Sequence, residues 1–69
     1  MSKWISIWVV DNSIQEPIIF DTYNEAYDDM LDDFNRFSID STEAKISNLS
    51  AYIKNSEHYI SWRLYRINF

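Results

Sequence analysis

The chain has 69 residues, no cysteine, no glycine, one proline (Pro17) and a formal net charge of −5. That length holds one domain, 1–69, with a modest core. Without cysteine there are no disulfide staples and no thiolate chemistry. Without glycine there is no Gly-rich loop to bring the backbone close to a phosphate, and tight primed hairpin turns are not expected. Three Trp, five Tyr and four Phe supply the large apolar areas that let so short a chain fold without staples or a bound metal. The charge is uneven. Residues 1–43 carry ten acids against Lys3 and Arg36, a net −8, and residues 44–69 carry Glu57 against Lys45, Lys54, Arg63 and Arg66, a net +3. A protein that grips a phosphate backbone needs the opposite balance, so no direct nucleic-acid partner is expected. No apolar run reaches membrane-spanning length. The opening Met-Ser-Lys-Trp-Ile-Ser-Ile-Trp-Val-Val is too short and too strand-like for a signal peptide, which predicts a cytoplasmic protein.

Taken in chain order, Trp4 to Val10 alternates as a first strand, with Ile5, Ile7 and Val9 on one side and Trp4, Ser6 and Trp8 on the other. Asp11 to Pro17 reads as a polar connection and Ile18 to Asp21 as a short second strand, antiparallel to the first, with the proline at its entry. Thr22 and Glu25 have capping-box spacing. Tyr23, Ala26, Tyr27, Met30, Leu31, Phe34 and Phe37 then form one apolar stripe at helical spacing. Ser41 or Thr42 can cap a second helix running to about Asn55 on Ile46, Leu49 and Ile53, although Ala44 to Ser47 also suits an extended segment. Tyr59 to Phe69 closes the chain as a long strand. The order β-β-α-α-β predicts an α+β domain: a three-stranded, mostly antiparallel sheet with two helices on one face. The first strand lies in the middle with the last beside it, and Ile5, Ile7, Val9, Ile60, Trp62 and Leu64 meet the helices.

Two features can carry a function. The polar side of the first helix holds Glu25, Asp28, Asp29, Asp32 and Asp33, followed by Arg36. Like charges three and four residues apart repel, and only the first turn gains from the helix dipole. Two readings stand: a solvated helix face, or a row of carboxylates that docks on a basic cleft. A metal site is disfavoured, because consecutive helical carboxylates diverge and no loop wraps the ion; no metal or cofactor is expected. The second feature is the sheet face away from the helices, where Trp4, Trp8, Tyr59, Arg63 and Tyr65 are expected. Trp, Tyr and Arg anchor partner surfaces, and an aromatic sheet also resembles a base-stacking platform, a use that the overall charge opposes. Lys45 and Lys54 are expected away from that face. His58, the sole histidine, follows Ser56 and Glu57, but neighbours in sequence do not make a triad. It reads as a polar residue entering the last strand, so no catalytic residue is expected.

A short, acidic, cysteine-free chain with an acidic helix and an aromatic sheet resembles the anti-CRISPR proteins, small phage-encoded inhibitors of host defence. Its residue usage, rich in Ile, Asn, Asp, Ser and Tyr, suits an AT-rich genome. The resemblance rests on this character and on Glu25, Asp28, Asp29, Asp32 and Asp33. It implies a non-enzymatic inhibitor acting in the host cytoplasm, whose carboxylates occupy a basic nucleic-acid site on a protein partner such as a Cas effector. The alternative is a small phage or bacterial structural or regulatory module that acts by homodimerisation or assembly through its aromatic sheet face. Either a monomer or a homodimer fits the sequence.

Overall fold

The computed structural model describes residues 2–68. In chain order its elements are β1 (Ser2–Val10), β2 (Ser13–Ile14), β3 (Ile18–Phe20), α1 (Tyr23–Phe37), β4 (Glu43–Ile46), β5 (Ser50–Lys54) and β6 (Tyr59–Asn68). All pairings are antiparallel, and the six strands form one sheet in the order β2-β1-β6-β5-β4, with β3 also on β1. The expected three-stranded sheet with two helices is therefore replaced by a six-stranded sheet with one helix. β1 pairs antiparallel with β3 on one side and β6 on the other, as the sequence predicts, but the middle of the sheet is β6 and not β1. Phe69, the last residue of the predicted final strand, lies outside the described residues.

The predicted second helix is the hairpin β4–β5. Ile46, Leu49 and Ile53 fit a helical period, but Ala51 and Ile53 also alternate with Tyr52 and Lys54. Strand pairing to β6 decides between the two patterns. Ala51 stands opposite Trp62 and Ile53 opposite Ile60, so a small residue faces the largest ring and the apolar pair is buried. Leu49 sits in the turn and is half exposed. The turn closes with Ser47 N–H donating to the Ser50 carbonyl at 2.8 Å. Tyr23 of α1 donates its hydroxyl to the Asn48 carbonyl at 2.6 Å, tying the helix to the turn.

A tight hairpin turn also forms without glycine. Asp11 and Asn12 join β1 to β2 with φ of 51° and 71°. Both central residues of a primed turn need positive φ, and Asp and Asn are the non-glycine residues that accept it most readily. Val10 pairs with Ser13 across the turn, so the predicted polar connection contains a strand.

The helix matches its sequence signature. Glu25 N–H donates to Thr22 Oγ1 at 3.2 Å, and the Thr22 hydroxyl donates to Glu25 Oε1 at 3.0 Å. The last turn closes with Ser38 N–H on the Phe34 carbonyl. Ala26 and Met30 are buried against Ala51, Ile53, Trp62 and Leu64, with Trp4, Trp8, Phe20, Tyr23, Tyr27, Phe34, Ile46 and Ile60 packed around them. β1 is thus turned over relative to expectation. Its register with β6 sets Trp8 opposite Trp62, which places Trp4, Ser6 and Trp8 under the helix and Ile5, Ile7 and Val9 on the open face. Both sides of this strand are apolar, so periodicity alone carries no sign of which side goes inward.

Trp62 is the centre of the core. Its ring stacks on Trp8 at 6.5 Å and on Phe37 at 6.4 Å. Its buried Nε1–H finds no hydrogen-bond partner among the described residues, a penalty of about 1–3 kcal/mol. In urea denaturation Trp62→Ala is expected to destabilise the fold by about 3–5 kcal/mol. Trp62→Phe removes the orphaned donor together with part of the ring, and the loss is expected to be less than about half as large.

Candidate functional site

The two candidate surfaces lie on opposite sides of the sheet. On the helix side, Glu25, Asp28 and Asp32 are exposed and Asp29 and Asp33 half-buried. The inward stripe on Ala26 and Met30 fixes the roll of the helix, which turns Glu25, Asp28 and Asp32 outward and leaves Asp29 and Asp33, three residues after Ala26 and Met30, at the edge of the buried stripe. The one cation of α1, Arg36, lies at 2.7 Å from Asp32 and 3.8 Å from Asp33. Glu25, Asp28 and Asp29 have no ion-pair partner among the described residues. The Asp33 carboxyl is held above the usual carboxylate range, chiefly by burial and then by the Asp29 charge, with Arg36 opposing and Asp32 adding to the rise. Charge at this position works against the fold.

On the open side, the register brings Tyr52, Tyr59, Ser61, Arg63 and Tyr65 together with Lys45 and Lys54. Of the residues expected here, Tyr59, Arg63 and Tyr65 are present, and Trp4 and Trp8 are in the core. Lys45 and Lys54 share the face from which the sequence reading had separated them. Tyr52 and Tyr59 stack at 6.1 Å, and the Tyr52 hydroxyl donates to Glu43 Oε1 at 2.9 Å. That bond holds the Tyr52 phenol above its ordinary range. An open depression of about 250 Å³ is lined by Ser50, Tyr52, Tyr59, Ser61 and Arg63, and a second, of about 230 Å³, lies between Tyr52 and Lys45. Lys45, Lys54 and Arg63 make no ion pair among the described residues. The apolar residues of this face, Ile5, Ile7, Val9, Ile14 and Ile19, escaped the sequence reading. The signal was that Trp4 to Val10 is apolar on both faces but for Ser6.

His58 sits at the end of the molecule where the β1–β2 turn meets the entry to β6. Its Nδ1 lies 2.5 Å from Asp11 Oδ2, and Asp11 Oδ1 accepts from Tyr59 N–H at 2.8 Å. Asp11 N–H in turn donates to the Tyr59 carbonyl at 2.9 Å. These bonds hold Asp11 in its positive-φ conformation. The bond to His58 and the Tyr59 amide keep the Asp11 carboxyl below its ordinary value, while Asp11, with Glu57 adding slightly, raises the imidazole. Asp11 was not singled out from the sequence; its partner lies 47 residues away. No group of three acidic or histidine side chains among the described residues could hold a metal ion, and no helix is long and apolar enough to cross a membrane. Comparison with known protein families, with curated proteins and with solved structures finds no match to this chain.

The Asp11–His58 pair makes stability depend on pH in two directions. His58 is raised in the folded state, so its contribution is full below the ordinary value of 6.5 and is lost as pH climbs through the raised folded value. Asp11 is lowered, so its contribution is present above 3.8 and is lost as pH falls through the lowered folded value. The denaturation midpoint is expected to be higher at about pH 5.5 than at about pH 9, and His58→Gln to flatten that difference. For Asp33 the sign is reversed. Removing a charge that burial disfavours first and Asp29 then repels predicts that Asp33→Asn raises Tm by roughly 1–3 °C at neutral pH. No gain is expected near pH 3, where the carboxyl is already neutral. Thermal unfolding followed by circular dichroism at both pH values checks this.

Proposed function

We propose that this protein acts by binding, as an inhibitor that presents the α1 carboxylates to a basic nucleic-acid-binding cleft of another protein. The observation that supports this most is the charge on Asp28, Asp29, Asp32 and Asp33. The capping box accounts for Glu25, and Arg36 offsets Asp32 and part of Asp33. The remaining charge repels itself and, at Asp33, opposes folding. A pattern that weakens the fold is explained by what it gains on meeting an opposite surface. There, charge complementarity speeds encounter and fixes register. An exposed helix also spaces its outward side chains by about 5–6 Å per turn, a repeat that a groove built for a phosphate backbone can accept. The resemblance to anti-CRISPR proteins makes a Cas effector the first target class to examine.

Retention of host proteins on the immobilised chain, followed by mass spectrometry, identifies the target. Binding is expected to weaken as salt rises and to compete with the target's own nucleic acid. Asp29→Lys combined with Asp32→Lys should leave the far-ultraviolet circular dichroism unchanged and weaken binding by roughly 100-fold or more. A folded variant that binds and inhibits as well as the parent overturns the proposal. So does salt-sensitive, micromolar binding of an oligonucleotide to the protein alone, because the open face would then be the active one.

A further inference from the structure

The part of the open face formed by β4, β5 and β6 groups polar and cationic side chains around two depressions. Arg63 stands opposite Ser50, Ser61 opposite Tyr52, and Lys45 opposite Tyr52 on the other flank. Tyr52 leans away from Ser50, since its ring stacks on Tyr59 and its hydroxyl donates to Glu43. That lean uncovers Ser50, which lines both depressions. Arg63 borders the first, of about 250 Å³, and Lys45 the second, of about 230 Å³. From strand spacing and rise, the Lys45 and Arg63 backbones lie about 12 Å apart, diagonally across β5. Both long side chains therefore reach a group seated above Ser50. These cations have no acid to meet. Lys3 and Arg36 pair with Asp21 and Asp32, whereas Lys45 and Arg63 make no ion pair among the described residues. This holds in a chain with eleven acids against six bases. Glu43 is the one carboxylate among the described strand residues of this face, and the Tyr52 hydroxyl holds it at 2.9 Å. Folding thus brings two cations to the rim of a concave, hydroxyl-lined floor without neutralising them.

We propose that this site binds a small phosphate ester carrying a planar ring, of the size of a nucleoside monophosphate. The phosphate sits above Ser50, between the Arg63 guanidinium and the Lys45 ammonium, with the Ser50 and Ser61 hydroxyls as further donors. Arg offers a planar fork of N–H groups matched to phosphate oxygens, and Lys a point charge. The ring lies against the Tyr52–Tyr59 pair, which lines the first depression. Stacking there needs no base-specific contact. Charge complementarity selects the phosphate, and the extent of the patch selects a single ester over a polymer. Two cations serve one phosphate and not a run of them along a backbone. Beyond Arg63 the face turns apolar at Ile7. The site lies on the opposite side of the sheet from α1, so this inference does not rest on what the helix binds.

Titration of the isotope-labelled intact chain with adenosine monophosphate, followed by amide shifts in nuclear magnetic resonance, tests the proposal. The expected result is saturable shifts centred on Ser50, Tyr52, Ser61 and Arg63. Inorganic phosphate and adenosine each supply only part of the contact and are expected to bind about 10-fold more weakly or worse. Lys45 and Arg63 are exposed, so circular dichroism should show the fold retained in Lys45→Gln and Arg63→Gln. Each is expected to weaken binding by about 10-fold. Lys54→Gln makes the same change of charge beside Glu43, at a residue lining neither depression, and should leave the affinity unchanged. Asp28→Asn on α1 should leave it unchanged as well. Absence of saturable shifts overturns the proposal. Equal weakening by Lys54→Gln also overturns it, because the attraction is then diffuse. Adenosine or inorganic phosphate binding as tightly as the monophosphate overturns it. So does a single-stranded oligonucleotide that binds more tightly than the monophosphate, because the ligand is then a strand and not a single ester.

Discussion

The pairing of Trp8 with Trp62 across β1 and β6 is the contact on which the remaining structure depends. Side chains alternate along a strand, so a shift of one residue in this pair would turn every residue of one strand to the other face. With Trp8 opposite Trp62, the two indoles stack in a single layer, Phe37 of the helix extends the stack, and Ala51 leaves room beneath. The helix settles where that aromatic surface is, with Ala26 and Met30 at the point of closest approach. The buried indole N–H of Trp62 is an internal cost of this arrangement, tolerated because ring packing outweighs one orphaned donor.

The same contact separates the charges. Once the tryptophans define the inner face, α1 covers it and turns Glu25, Asp28 and Asp32 outward on one side of the molecule, with Asp29 and Asp33 half-buried beside them. Lys45, Lys54 and Arg63 fall on the other side, with the Tyr52–Tyr59 stack. A chain whose acids and bases were already segregated along the sequence becomes a plate with one acidic and one mildly basic face. Each face is therefore suited to a different kind of contact. The acidic helix offers long-range, salt-sensitive attraction, and the open sheet offers short-range burial on its isoleucines beside Lys45, Lys54 and Arg63.

Local devices hold this plate together at its ends. The Asp11–His58 clamp fastens the β1–β2 turn to the entry of β6, and the Tyr23 hydroxyl fastens the helix to the β4–β5 turn. Both link segments far apart in sequence. In a sheet whose edge strands are as short as β2 and β3, such bonds replace the ladder that longer strands would supply.

The sequence by itself determined the elements whose signals are local. The Thr22–Glu25 cap and the stripe from Tyr23 to Phe37 specify α1 almost to the residue, because a helix closes its hydrogen bonds within itself. β1 and β6 were legible from alternation over long runs, and the acidic surface of the helix was legible because the apolar stripe fixes where the other residues point. Only the tertiary structure decided the rest. Residues 43–54 fit either a helix or a hairpin until β6 offered a pairing edge. The Asp11–Asn12 turn was hidden because Asp and Asn accept positive φ without announcing it as glycine does. The inward face of β1 was undetermined because both sides of that strand are apolar, so the choice rested on Trp62, more than fifty residues away. For that reason Trp4 and Trp8 are core residues here, and the open face belongs to Ile5, Ile7, Val9, Tyr59, Arg63 and Tyr65.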